Sequence, residues 1–232
     1  MFGEFILAWF IFFSPKAEPE FKITPALSVL ASEQISLENR QPNSFVNGVF
    51  KDNILLTTAY MDGRVAKKQE IDWEELRKPF AYRFSLTPNQ SFAFHDDVYP
   101  EFSGNLAATT NAHFNHQEGF KSDGYLMGNG VCHLASLIYL AAKTAGLDAY
   151  APTSHDFAVI PEISKEFGVS IYSYPGHVTA NARQNLYITN NKKNPVIFEF
   201  IYDGENLKLS VYEAKSAIQT YPLVISEALL LR

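Results

Sequence analysis

The stretch that decides the fold is residues 128–150, GNGVCHLASLIYLAAKTAGLDAY. Within it, apolar residues recur at helical spacing, and Gly146 follows them as a residue suited to ending a helix. The pattern predicts a helix over residues 131–145, and no other segment of the chain carries a clearer helical signal. The stripe expected to face the core consists of Leu134, Leu137, Ile138, Ala141 and Ala142.

Segments typical of β-strands follow this helix. They are bounded by turn residues and cover residues 149–151, 157–160, 169–174, 186–189, 196–202 and 207–212. The last two flank DGEN, a sequence typical of a tight turn. We therefore predict an α+β fold. In it, helix 131–145 packs on a mostly antiparallel sheet, an arrangement distantly similar to papain-like and transglutaminase-like folds.

The segment before the central helix predicts further elements. Apolar residues at mixed helical spacing from Val46 onward indicate a helix that ends near Gly63. The sequence IDWEELRKPF at 71–80 indicates a short helical turn stopped by proline. Residues 82–94 alternate in polarity on both sides of Pro88–Asn89, which predicts a β-hairpin.

The chain begins with an uninterrupted apolar run, FILAWFIFF, at residues 5–13. This length suits the core of a signal peptide and is too short for a helix across a ~30 Å hydrocarbon layer, which needs ~20 residues. We predict a signal-like or anchoring segment over 1–17, an irregular lead-in arm over 18–43 and a single domain over 44–232. A membrane tether through the first segment is one expectation, and a buried first strand is the alternative.

Composition narrows the function classes. A chain of 232 residues with 47% hydrophobic content can bury a full core. Its net charge of -6, with no run of lysine or arginine, leaves nothing to neutralise a phosphate backbone. Nucleic acid is therefore not expected as a partner. The single cysteine cannot form an internal disulfide.

That cysteine, Cys132, is the first catalytic candidate. It lies directly behind the turn at 128–130, where the free N–H groups and dipole of a helix start favour a thiolate. A thiolate nucleophile needs a base, and His155 is the candidate because a returning strand would bring it back to the helix. Asp156 could orient that imidazole, although adjacent strand residues point to opposite faces. The alternative is that Cys132 is a packing residue, since free cysteine is among the most buried residue types.

Other polar residues are candidates for substrate binding. His95 and Asp96 lie in FHDDV, His113 and His116 lie in NAHFNHQEGF, and His133 follows the cysteine. Two histidines three residues apart could share a metal ion only on a helix, and the surrounding asparagines and glycine are typical of a loop. We therefore predict neither a metal ion nor another cofactor.

Three stretches of the sequence resemble the VanW-like proteins, a family named for an accessory member of a glycopeptide-resistance cluster. They are FAFHDDV at 92–98, the segment with the Gly-Val-Cys core at 128–159, and NLYITNNKKNPVIF at 185–198. The resemblance covers roughly residues 43–212. It implies an extracytoplasmic protein of the bacterial cell envelope whose partner is peptidoglycan or a cell-wall precursor, and it favours export through the N-terminal segment.

This chain departs from the family pattern at three places. His133 stands where the family usually has glutamine, and Asp156 stands where it has serine. The family's Gly-x-Asp-Ala-Thr-Val run aligns with residues 168–172, which contain no aspartate. A Cys-His-Asp triad is therefore not transferred from the family to this sequence.

Two functions are favoured on these grounds, and a metal-dependent hydrolase built on His113 and His116 is a third, less favoured possibility. In the first, Cys132 attacks a carbonyl of peptidoglycan with His155 as base, in amide hydrolysis or acyl transfer. In the second, the protein is a non-catalytic wall-binding or scaffolding module whose loops between His95 and Phe120 bind glycan or stem peptide. Tyr172 and Tyr174 offer either an aromatic rim for a sugar or peptide, or ordinary sheet packing.

Overall fold

The computed structural model of this protein describes residues 26–66 and 70–215. The segment 1–17, predicted to be signal-like or anchoring, lies outside the described residues. None of the helices within them is long and apolar enough to cross a membrane. The unit Ala26–Lys215 is compact and contains both helices and largely antiparallel sheets, which confirms the α+β prediction.

The elements of this unit alternate irregularly between strand and helix. In chain order they are β1 (Ala26–Ser36), α1 (Ser44–Asp62), α2 (Trp73–Leu76), β2 (Phe80–Leu86), β3 (Ser91–Ala93), α3 (Pro100–Ser103), β4 (Leu106–Ala108), α4 (Val131–Thr144), β5 (Asp148–Tyr150), α5 (Val178–Arg183), β6 (Tyr187–Thr189), β7 (Val196–Tyr202) and β8 (Asn206–Lys215). Short 3-10 turns occupy His116–Glu118 and Lys165–Phe167.

The larger sheet is fully antiparallel and has the strand order β1-β8-β7-β2. Strands β7 and β8 confirm the strands predicted at 196–202 and 207–212. Asp203 fixes the turn between them, because its Oδ1 accepts the N–H groups of Glu205 at 2.8 Å and Asn206 at 2.7 Å. A carboxylate bonded to its own following backbone makes this turn locally encoded.

The smaller sheet has the strand order β4-β3-β6-β5, with β3 and β4 parallel and the other pairs antiparallel. The predicted hairpin over 82–94 is wrong, since β2 pairs with β7 in the larger sheet and β3 pairs with β6 in the smaller one. Asn89 adopts a φ of 65° and donates its N–H to the carbonyl of Asn190 at 2.9 Å. The chain therefore passes from one sheet to the other at this turn.

Two further expectations need correction. The arm predicted as irregular over 18–43 contains β1, which pairs along its length with β8. Residues 157–160 form no strand, because Phe157 and Val159 are 71% and 85% exposed rather than packed in a sheet. Residues 169–174 form no regular strand either, and Val169 makes a single bridge to Ser154.

Helix α4 lies at the centre of the fold, as its sequence predicts. All five residues of the predicted apolar stripe are fully buried, and the helix packs against β1, β8, β5 and α1. Burying one leucine or isoleucine contributes roughly 1.5–3 kcal/mol, so this stripe is a main source of stability. The helix ends as expected: Gly146 adopts a φ of 67°, and the Leu147 N–H bonds to the Ala142 carbonyl at 3.0 Å.

Helix α1 holds the first turn of α4 in place. The side-chain amide of Asn53 donates to the Asn129 carbonyl at 2.8 Å and to the Lys121 carbonyl at 3.0 Å. Gly130, with a φ of 103°, lies so close to α1 that a Cβ atom there would be 2.6 Å from the Phe50 carbonyl oxygen. Only glycine permits both this backbone conformation and this approach.

Replacing Gly130 by alanine should therefore destabilise the protein strongly. Gly124 is a matched control, because it has a φ of 104° and no atom lies within 4 Å of the place that a Cβ would take. We expect Gly124→Ala to lower the free energy of unfolding by about 1 kcal/mol through backbone strain. Gly130→Ala should lower it by a further ~1–3 kcal/mol through the steric clash. Equal losses in urea unfolding would contradict this account of the α1–α4 contact.

Candidate functional site

The first turn of α4 opens onto a cleft of about 790 Å³. Its floor contains Cys132, His133 and His155, which lie on two separate parts of the chain. Large, strongly exposed side chains surround this floor. They are Tyr125, Leu126, Met127, Phe157, Val159, Tyr172 and Tyr174.

Cys132 is partly buried, and the backbone of Ile171 provides its partners. The Ile171 N–H donates to Sγ at 3.4 Å, and Sγ lies 3.7 Å from the Ile171 carbonyl oxygen as a weak donor. Within the described part of the chain, no imidazole nitrogen makes a hydrogen bond to this sulfur. The sulfur is therefore satisfied locally without a base.

This environment disfavours the expected thiolate. Burial raises the pKa of the Cys132 thiol from 9.0 to about 11, although the backbone N–H groups of Ile171 and Cys132 act in the opposite direction. A helix start stabilises a negative charge by typically ~0.3–1 kcal/mol, whereas one pKa unit corresponds to about 1.4 kcal/mol. Desolvation therefore outweighs the helix dipole, and the group is a thiol at neutral pH.

The two histidines of the floor are buried, and their rings are perpendicular neighbours. His133 is 3% and His155 6% exposed, and their ring centroids lie 6.2 Å apart with the planes at 88°. Burial lowers the pKa of both, and that of His133 falls to about 3, with Arg40 and His155 adding to the effect. Both imidazoles are consequently neutral at pH 7.

Each of these neutral rings keeps an unsatisfied nitrogen. The Nδ1 atoms of His133 and His155 are buried and have no hydrogen-bond partner within the described residues. Gln184 also lines the cleft, and its side-chain Oε1 is likewise buried and without a hydrogen-bond partner within the described residues. Buried polar atoms normally have partners, so three unsatisfied atoms on residues that line one cleft indicate a place where a ligand or water supplies them after a small side-chain movement.

Asp156 does not lie on the cleft. It is exposed and lines a small pocket of about 190 Å³, which shares His155 and residues 157–159 with the cleft. It makes no hydrogen bond to His155 within the described residues. Burial lowers the pKa of the His155 imidazole, and backbone hydrogen bonds of His155 and Ala158, followed by the charge of Asp156, act in the opposite direction. The orienting role expected for Asp156 therefore has no supporting contact here, in keeping with its position directly beside His155 in the sequence.

The predicted substrate-binding residues separate into two groups. His116 and His133 line the cleft. His95 is fully buried and bonds through Nε2 to the Gln184 carbonyl at 3.0 Å, so its contacts are structural instead. Asp96 and His113 also lie away from the cleft, where they join Glu118.

His113 is held between two carboxylates. Its Nε2 lies 2.8 Å from Asp96 Oδ1, and its Nδ1 lies 3.0 Å from Glu118 Oε1. The second Glu118 oxygen accepts the His113 main-chain N–H at 2.7 Å. Both ring nitrogens can donate only if the imidazole is protonated. The bond to Glu118, followed by the charges of Asp96 and Glu118, accordingly raises the pKa of His113.

We call the two contacts of the His113 ring, with Asp96 and with Glu118, the His113 clasp. The clasp supports one wall of the cleft. Phe114, Asn115 and His116 follow His113 directly and line the cleft. Asn115 caps the following turn, since its Oδ1 accepts the Glu118 N–H at 3.1 Å. The protonation state of His113 should therefore affect the stability of this wall.

Sequence reasoning misses several residues of the site. Gln184 and Ile171 contribute a side chain and a backbone, respectively, and neither residue type marks a site by itself. Tyr125 is 93% exposed, and an aromatic residue in a glycine-rich loop is the signal that could have found it. The alternation of Tyr172 and Tyr174 is visible in the sequence, and their exposure favours the rim over sheet packing.

The charges of the cleft are few. No lysine or arginine lines it within the described part of the chain, and Asp123 is the only carboxylate there. Among the same residues, no group of three histidine, cysteine or acidic side chains is arranged to hold a metal ion. The arrangement suits recognition of an uncharged ligand segment.

Comparison with known proteins adds no relative. No protein-family model, curated protein or solved structure matches this chain.

The His113 clasp makes stability depend on pH. The folded-state pKa of His113 is raised, so its stabilising effect is complete below the unfolded value of about 6.5 and is lost as the pH rises through the folded value. We expect the difference in unfolding free energy between the native protein and His113→Gln to shrink as the pH rises above about 6.5 and through the raised folded-state pKa of His113. Chemical denaturation at a series of pH values measures it.

The matched control is His116→Gln, which removes an exposed ring that makes no hydrogen bond within the described residues. Because no hydrogen bond of the ring is lost, His116→Gln should lower the unfolding free energy less than His113→Gln does below about pH 6.5. A difference for His113→Gln that does not change with pH would show that the clasp does not depend on protonation.

Proposed function

We propose that this protein is a binding module of the bacterial cell envelope that takes an uncharged segment of peptidoglycan, or of its precursor, into the cleft above α4. The observation that carries this proposal is the cleft itself, with an aromatic rim, an uncharged floor and a protonated thiol. Resemblance to VanW-like proteins supports the envelope location and the ligand class. An extracytoplasmic site of action follows from the same resemblance.

The rim supplies the affinity in this proposal. Tyr125, Phe157, Tyr172 and Tyr174 expose large rings to solvent around one opening. Contiguous exposed aromatic surface on a folded unit is typical of interaction sites, because such surface gains free energy when a ligand covers it. Rigid rings also lose little conformational entropy on binding.

The floor supplies selectivity. A neutral imidazole has one N–H donor and one lone pair, so His133 and His155 can bind hydroxyl or amide groups, which also both donate and accept. Anionic ligands would meet Asp123 and, among the described lining residues, no compensating cation. This chemistry favours the amides and hydroxyls of stem peptide and glycan over phosphate or carboxylate groups.

Thiol chemistry is the second candidate function, and a specific observation favours it. Cys132 shares the cleft with two neutral imidazoles that each have an unsatisfied Nδ1. In this candidate, ligand binding brings an imidazole to Sγ. The thiol transfers its proton to the imidazole, and the resulting thiolate attacks an amide carbonyl of the ligand. The imidazolium then protonates the leaving amine, and water or a second amine cleaves the thioester. The high thiol pKa in the unliganded cleft makes this the weaker candidate.

One experiment tests both candidates. Purified cell-wall sacculi are incubated with the protein, and the protein retained in the pellet and the muropeptides released into solution are both measured. We expect retention without release. Tyr125→Ser combined with Phe157→Ser should weaken retention at least about tenfold, because two large apolar contacts are removed.

The matched control is Leu27→Ser with Val29→Ser, two exposed apolar residues on β1 that do not line the cleft. This control should be retained like the native protein. Equal losses for the two double variants would argue against the cleft as binding site. Release of muropeptides that disappears in Cys132→Ala would instead establish thiol chemistry.

A further inference from the structure

The segment 170–174, which borders the cleft, has one paired and one unpaired backbone edge. The N–H groups of its even-numbered residues donate to the protein: Ser170 to the Thr153 carbonyl at 2.9 Å, Tyr172 to the Gln184 carbonyl at 3.2 Å and Tyr174 to Asn181 Oδ1 at 2.9 Å. The odd-numbered residues, Ile171 and Ser173, have no backbone partner of this kind within the described residues. Alternation of this sort is characteristic of an extended chain.

The tyrosine rings agree with an extended backbone. Side chains two residues apart on a strand lie on the same face, about 6.6 Å apart. The ring centroids of Tyr172 and Tyr174 are 6.4 Å apart, and the ring planes differ by only 7°. The segment therefore presents a strand edge to the cleft without being assigned to a sheet.

Cys132 occupies part of that edge. Its Sγ contacts both the N–H and the carbonyl oxygen of Ile171, the two groups that a neighbouring strand would use. Ser173, which also lines the cleft, has neither its N–H nor its carbonyl in a hydrogen bond within the described residues. The free part of the edge therefore starts beside the sulfur and runs under the tyrosine rings.

We propose that the ligand of the cleft is an extended, uncharged peptide that adds as a strand at Ser173, on the part of the backbone edge that Cys132 leaves free. This deepens the proposed function, on which it rests, by choosing peptide over glycan. Ser173 would exchange two hydrogen bonds with one ligand residue, as antiparallel neighbours do. A sugar has no repeating pair of N–H and C=O groups to match such an edge.

The exposed rings complete the site. Tyr172 and Tyr174 would cover one face of the added strand, and Phe157 and Tyr125 lie on the same cleft. The lack of lysine and arginine in the described lining means that acidic ligand residues gain nothing there. Aspartate and glutamate should accordingly be excluded from the ligand positions in contact with the cleft.

The test uses two probes on the native protein. A positional library of acetylated and amidated hexapeptides, made from all amino acids, is selected on the immobilised protein, with chitotetraose as the glycan probe. We expect hexapeptides without acidic residues to be retained. The tightest one is then prepared with one N-methylated peptide bond at each position in turn.

N-methylation removes a ligand N–H without changing any side chain. We expect binding to weaken about tenfold at the one peptide bond whose N–H donates to the Ser173 carbonyl, and to change little at the peptide bonds next to it, because their N–H groups point to the opposite edge of the strand. Equal losses at neighbouring positions, or the absence of any retained hexapeptide, would overturn the inference. If chitotetraose is retained and no hexapeptide is, the proposed function stands and the choice of peptide falls. If neither probe is retained and the protein does not bind sacculi, the proposed function and the choice of peptide are both wrong.

A pair of protein variants tests the same edge from the other side. Ser173→Pro removes the N–H, whereas Ser173→Ala keeps it and removes only the hydroxyl. We expect Ser173→Ala to bind the selected hexapeptide about tenfold more tightly than Ser173→Pro. Equal affinities in the two folded variants, as judged by circular dichroism, would contradict strand addition at this residue.

Discussion

The close approach of Gly130 to the backbone of Phe50 is the constraint on which the site depends. A side chain at residue 130 would separate α4 from α1, since its Cβ would lie 2.6 Å from the Phe50 carbonyl oxygen and 2.9 Å from its Cα. The buried amide of Asn53 adds a second tie, through hydrogen bonds to the carbonyls of Lys121 and Asn129. Together they fix where the first turn of α4 begins, and with it the position of Cys132.

The same packing decides the chemistry of the floor. Because the start of α4 is pressed between α1 and the segment that contains Ile171, the sulfur and both imidazoles lose water. Loss of water favours the uncharged form of each group, which raises the pKa of Cys132 and lowers those of His133 and His155. A site built from uncharged groups is suited to binding amides and hydroxyls. The site becomes suited to thiol chemistry only if a bound ligand favours the charged forms, a thiolate at Cys132 and an imidazolium beside it.

Local signals in the sequence are sufficient for the parts of the fold that local forces determine. Helix α4 follows from its apolar spacing and Gly146, and the β7–β8 hairpin follows from its strands and the turn at Asp203. The hairpin expected at Pro88–Asn89 fails because strand partners are chosen by long-range packing. The sequence of the turn does not indicate whether β2 pairs with β7 or with β3.

The candidate site could be predicted only in part, for a similar reason. Cys132, His133 and His155 carry chemistry that can be recognised by residue type, and the structure places all three on one cleft. Their protonation states depend on burial, which no motif reports. The free backbone edge at Ser173 is also invisible in the sequence, because an unpaired N–H is a property of the fold and not of the residue.

The ionisation of Cys132 tests the account most directly, and the single cysteine of the chain makes the signal unambiguous. The rate of alkylation by iodoacetamide is measured by mass spectrometry from about pH 5 to pH 10 on the folded protein, with the denatured chain as reference. The account predicts a rate that is slow at pH 7 and rises about tenfold per pH unit without a plateau, as expected for a thiol whose pKa is about 11. Fast labelling that levels off below pH 7 would reveal a thiolate paired with an imidazolium and would contradict it.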